Sequence, residues 1–178
     1  MVAERWPALT IRQPWEWAVE HGKPVENRSW EIKYRGPLWL HAGARSRWDP
    51  AGALFPLVRS AWEQHVRRIP GWPGLPSSDV EIGRKTTLMP FGAVAALAEL
   101  VSCHHANDCI RGTELYCDPW ASGAQWHTVL ALVRPLAEPV PCRGMLGLWR
   151  LPEDVEKLVR AQLGIAGAQS KTSIEEEP

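Results

Sequence analysis

Residues 91–103, FGAVAALAELVSC, form a long apolar run followed by a polar, irregular segment. The run is too short to cross a bilayer, which takes about 20 residues in a helix. Its glycine, its β-branched residues and its position fit a central strand. Strand partners must then come from the alternating stretches elsewhere. PALTI at 7–11, VENRSW at 25–30, LWLHA at 38–42, QWHTVLALV at 125–133 and MLGLWRL at 145–151 all qualify. In VENRSW the alternation sends Glu26, Arg28 and Trp30 to one side and Val25, Asn27 and Ser29 to the other. In LWLHA it separates Leu38 and Leu40 from Trp39 and His41.

Helical signals fall between and after these strands. Pro14 suits a first helical turn, Trp15, Ala18 and Val19 recur at helical spacing, and Gly22 reads as a C-terminal stop. Residues 50–69 carry Leu54, Leu57, Val58, Ala61, Trp62 and Val66 on one face. A closing helix over 152–163 begins with Pro152 and acidic residues in its first turn. PLAEPVPCRG, 135–144, reads as a proline-rich connection, and the stretch near 66–90 as an insertion. Residues 166–178 read as a disordered tail. The expectation is one domain over 1–165, of α+β class: a small β-barrel with peripheral helices. A doubly wound fold fits badly, since helices do not alternate regularly with the strands and no glycine-rich phosphate loop follows a strand.

The chain carries 20 basic and 20 acidic residues, a balance that argues against an indiscriminate nucleic-acid binder. The distribution is uneven. Residues 1–70 hold 11 Lys/Arg against 7 Asp/Glu, a difference of +4. Arginine outnumbers lysine 15 to 5, and there are 11 tryptophans. Those are the side chains that grip phosphates and stack on bases. No apolar leader and no membrane-length run is present, so a cytoplasmic setting is expected. Four cysteines form no dense disulfide framework, which agrees with a reducing compartment.

Four ordered blocks, LTIRQPWEWAVEHGKPVENRSW, YRGPLWLHAG, GAVAALAELVSC and QWHTVLALVRPLAEPVPCRGMLGLW, resemble the ASCH domain family of the PUA-like superfamily. Its short signature G-x-K-x-x-E-x-R is matched by Gly22, Lys23, Glu26 and Arg28. The resemblance covers most of 7–151 and implies a PUA-like barrel. It further implies a cleft for RNA, single-stranded nucleic acid or a modified nucleoside. Some relatives are amidohydrolases acting on N4-acetylcytidine, and a ribonuclease activity has been attributed to the family. The amidohydrolase relatives place a threonine where this chain has Glu26, so the usual nucleophile is missing here.

Taken alone, the spacing favours Lys23 as a helix cap and Glu26–Arg28 as an ordinary surface ion pair, and it is the resemblance that points to a cleft. In the implied cleft their roles divide. Arg28 offers a planar fork to a phosphate or base edge. Lys23 offers a point charge, and Glu26 accepts from an exocyclic amine. If the chain is an enzyme, Lys23 and Glu26 are its acid/base pair. Arg12 and Arg35 are placed at the rim and Trp30 as a stacking wall, and His41, at a strand end on the face carrying Trp39, is a further candidate ligand-binding residue. No cofactor motif is present. CHHANDCIRGTELYC contains Cys103, His104, His105, Cys109 and Cys117, but its spacing lacks a C-x2-C knuckle, so no metal site is assigned. The main reading is nucleic-acid or modified-nucleotide binding. The alternatives are a hydrolase in the same cleft and a non-catalytic protein-interaction module. Nothing in the sequence sets the oligomeric state.

Overall fold

The computed structural model describes residues 4–47, 49, 51–65, 89–111 (110 and 111 by backbone alone), 117–123 and 125–165. Along the chain come β1 (Pro7–Gln13), α1 (Trp15–Glu20), β2 (Val25–Arg28), β3 (Gly36–Ser46) and α2 (Phe55–His65). β4 (Ala93–His105), a 3₁₀ helix (Ala106–Arg111), β5 (Trp126–Pro141), β6 (Leu148–Arg150) and α3 (Glu153–Gln162) follow. The expected insertion and the tail lie almost wholly outside the described residues. Among the described residues no helix is long and apolar enough to cross a membrane.

The class is α+β, built on a six-stranded mixed sheet in the order β2-β5-β4-β3-β1-β6. β1 and β3 run parallel; the other neighbours are antiparallel. The apolar run of 91–103 is a central strand, β4, lying between β3 and β5. The expected barrel is corrected: among the described residues no ladder joins β2 to β6, and the sheet keeps two edges. Both edge strands are short, four and three residues, and present little backbone for closure.

The sheet nevertheless curls. Register shifts interrupt the β4–β5 ladder at three points. At one of them Leu132 and Val133 stand opposite the single residue Ala98, and Leu132 takes a φ of 49°. A bulge of this kind bends the strand and increases its twist. β5 also continues through the proline-rich stretch expected as a connection. Pro135, Val140 and Pro141 pair with β4, while β2 covers only residues 126–129 on the other side. The prolines thus sit where the strand has a single ladder neighbour, so their missing N–H groups cost little.

Two apolar layers cover the faces. Leu9, Ile11, Leu38, Leu40, Leu100 and Leu130 fill the inner face. Ala8, Trp39, Val94 and Trp149 pack under α3 on the outer face. The alternation read from LWLHA is therefore observed. A third cluster joins Trp17 of α1 to Val58 and Trp62 of α2, with Trp120 against it.

Candidate functional site

The helix α1 ends as Gly22 adopts a φ of 102°, and the Lys23 N–H returns to the Ala18 carbonyl. This turn points Lys23 inward instead of leaving it on the surface. Its side chain is 1 % exposed, and Nζ donates to Glu26 Oε2 at 2.5 Å. The other carboxylate oxygen of Glu26 lies 3.2 Å from Arg28 Nη2. Glu26 and Arg28 thus share a strand face, as alternation requires, and the carboxylate bridges two cations.

Burial alone would raise the Glu26 carboxyl. The Lys23 and Arg28 charges outweigh it and hold the group below the usual carboxylate range. Burial pushes the Lys23 ammonium down, and Glu26 offsets only part of that. Asp118 adds a further favourable charge. Arg28 Nη2 also donates to the Thr10 carbonyl at 2.8 Å. Its Nε–H is buried and has no hydrogen-bond partner among the described residues. The side chain as a whole is 21 % exposed, the most open member of the three.

The other expected residues divide. Trp30 is half-buried and packs against the inner-face core, together with Trp15, Tyr34 and Trp126. Arg12 is exposed on β1. Arg35 is occupied: its guanidinium donates to the carbonyls of Ile32, Tyr34 and Cys103 at 2.6, 2.7 and 3.2 Å. It staples a turn and is not part of the cluster. His41 is buried on the opposite, outer face. Its ring stacks edge-on with Trp149, and Nε2 meets the Cys142 carbonyl at 3.0 Å. The sequence could not show this, because a strand-end histidine on a half-buried face has no visible partner.

Asn27 was not singled out, yet it is a tie point. Its amide donates to the Trp120 carbonyl at 2.9 Å, and its oxygen accepts from the Ser122 N–H at 3.0 Å. The loop over 117–123 is thereby held against β2. On that same side the fold assembles a group the spacing argument had set aside. His104, Cys109, Cys117 and His127 bring their ligand atoms within 4.8 Å of one another. His127 comes from β5, outside the cysteine-rich stretch. The β4–β5 register alone brings it opposite His104.

No protein-family model matches the chain, and no curated protein matches it.

Proposed function

We propose that the chain is an ASCH-type, PUA-like module that binds single-stranded RNA or a modified nucleoside at the Glu26–Arg28 end of the curled sheet. The observation that carries this reading is the buried, unpartnered Arg28 Nε–H beside the Glu26 carboxylate. A donor buried without a partner costs about 1–3 kcal/mol, and an acceptor from a ligand removes that cost. A donor adjacent to an acceptor matches the N3 and N4 edge of cytosine, where carboxylates accept from the exocyclic amine. Trp30 and Trp126 are half-buried and pack against the inner-face core, and a base stacked on an indole is worth about 1–3 kcal/mol. Arg28, the most open of the three, meets the ligand first. Lys23 keeps the carboxylate ionised from beneath.

A hydrolase is the second reading, and one observation favours it. Burial lowers the affinity of Lys23 for its proton while Glu26 lies within direct transfer distance. Such a pair is suited to activating water against an N4-acyl group.

Titration of the purified chain with a cytidine-rich single-stranded RNA and with N4-acetylcytidine, followed by tryptophan fluorescence and product analysis, tests both. Saturable binding that Arg28→Ala weakens by about 1–3 kcal/mol supports the module. Release of acetate, lost in Lys23→Met, supports the hydrolase. Neither binding nor turnover with either probe overturns both readings and leaves the protein-interaction module.

A further inference from the structure

We propose that His104, Cys109, Cys117 and His127 form a structural zinc site that fastens the 117–123 loop to the back of β2. His104 is the penultimate residue of β4, Cys109 lies in the 3₁₀ helix, Cys117 opens the loop, and His127 is the second residue of β5. His104 Nε2 is 3.1 Å from Cys109 Sγ, and Cys109 Sγ is 3.1 Å from His127 Nδ1. Cys117 Sγ is 3.4 Å from the same Nδ1. Around a tetrahedral zinc ion, with bonds of about 2.3 Å to sulfur and about 2.0–2.1 Å to nitrogen, neighbouring S and N atoms lie about 3.5 Å apart. The four atoms stand close to that arrangement.

Hydrogen bonding accounts for the cluster poorly. His127 Nε2 faces the Ser122 carbonyl at 3.1 Å, so that nitrogen carries the proton and Nδ1 presents one lone pair. Two sulfurs stand within reach of that single lone pair, and Cys117 also contacts Cys109. A cation accepts all four donors at once. The Ser122 contact is also the outer partner a zinc-bound histidine needs, fixing both tautomer and ring direction. The two rings stand nearly perpendicular, at 88°, so their lone pairs converge from different directions.

The donor set selects the metal. Two thiolates and two imidazoles in a tetrahedral set favour zinc over magnesium, calcium or manganese. Four protein ligands leave no open position, which marks a structural site and not a catalytic one. Binding is a plain exchange: two thiol protons leave to solvent as two Zn–S bonds form, and no redox partner is needed. The consequence is local. The loop it fastens carries Trp120 and Ser122, the two residues bonded to Asn27, and Asp118, whose charge acts on Lys23. The metal therefore braces β2 from the face opposite Glu26.

The test uses the untagged full chain, purified under reducing conditions from zinc-replete cells. Metal analysis is expected to return one zinc per chain that survives dialysis. Exchange for cobalt should give the visible bands of a tetrahedral ion together with a thiolate-to-cobalt charge-transfer band. Cys117→Ser, at the exposed end of the set, should fold yet lose the charge-transfer intensity and most of the zinc. Cys142→Ser, outside the set, should keep both. Chelation should lower the melting temperature of the wild type and leave that of Cys117→Ser unmoved. Wild-type protein with reduced thiols and no retained zinc overturns the proposal. So does a Cys109–Cys117 disulfide that gives the same melting temperature as zinc-loaded protein. Zinc retention leaves the nucleotide reading undecided, and failed nucleotide binding leaves the metal site standing, so the two fail separately.

Discussion

Arg28 Nη2 donates to the carbonyl of Thr10 at 2.8 Å, joining β2 to β1 across the gap in the sheet. These strands lie four places apart in the sheet order. β6 pairs with β1 only over residues 7–9, which leaves the Thr10 carbonyl free of that ladder. A side chain thus pins a curl that backbone pairing does not complete.

Arg28→Ala should therefore destabilise the fold as well as weaken binding. A hydrogen bond to a charged donor is worth about 1.5–3 kcal/mol, and the substitution removes this one together with the Glu26 contact. The loss should appear as a lower urea midpoint. Arg28→Lys should recover part of the loss, because both contacts use the single nitrogen Nη2 and an ammonium also carries several donors on one nitrogen. A midpoint unchanged in Arg28→Ala would show that the seam contact holds nothing.

Much of this arrangement can be read from the sequence, and what cannot has physical reasons. The strand character of 91–103, the helix stop at Gly22 and the shared face of Glu26 and Arg28 follow from local geometry. The burial of Lys23 does not, since lysine is almost never fully buried unless paired. Seeing it requires the return of the chain at Ala18. The extension of β5 through Pro135–Pro141 was masked because proline ordinarily excludes a strand interior. Only the missing second neighbour makes it tolerable. His127 was invisible as a partner of His104 because register, not spacing, joins them. His41 and Arg35 looked available because their acceptors, Cys142 and Cys103 among them, lie distant in sequence.

The Lys23–Glu26 pair makes an asymmetric prediction. Removing one member of a buried ion pair costs about 3–5 kcal/mol when the other charge is left uncompensated. In Lys23→Met the carboxylate keeps Arg28 at 3.2 Å. In Glu26→Gln the ammonium, 1 % exposed, loses its ion-pair partner. Glu26→Gln should be the more damaging change in urea unfolding. The double variant should lose less than the sum of the two. Equal costs for the single variants would mean that Arg28 does not compensate Glu26.

Glu16 and Glu20 stand one turn apart on α1, and Gln13 Nε2 donates to Glu16 Oε2 at 2.9 Å. Burial, reinforced by the charge of Glu20, pushes the Glu16 carboxyl well above 4.5. Burial pushes Glu20 up to about 7. Carboxyls raised in the folded state favour the protonated form. Their contribution to stability is complete below the unfolded value and is lost as pH rises through about 7. His21, stacked on Trp17 in the same helix region, opposes this, since burial holds its ring below 6.5. Comparison with Glu20→Gln isolates what Glu20 contributes, its effect on Glu16 included. The wild type should lose urea midpoint relative to that variant from about pH 4.5 to 7 and level off above that. A difference independent of pH would show that Glu20 ionises as it does in the unfolded chain.

Gly144 presses directly on His41. A Cβ at position 144 would lie 2.4 Å from His41 Cε1, 2.7 Å from Nδ1 and 2.9 Å from Thr10 Oγ1. Neither neighbour yields easily. The His41 ring is held between Trp149 and the Cys142 carbonyl, and Thr10 Oγ1 accepts from Trp149 Nε1 at 3.2 Å. Overpacking of this kind costs about 1–3 kcal/mol. Gly144→Ala should lower stability by that order, and most of the loss should vanish in a His41→Ala background, where the obstructing ring is gone. Because His41 lies under this lid on the face away from Glu26, His41→Ala should leave nucleotide affinity unchanged while lowering the urea midpoint. A binding defect in His41→Ala that exceeds its loss of folded protein would return that histidine to the ligand site.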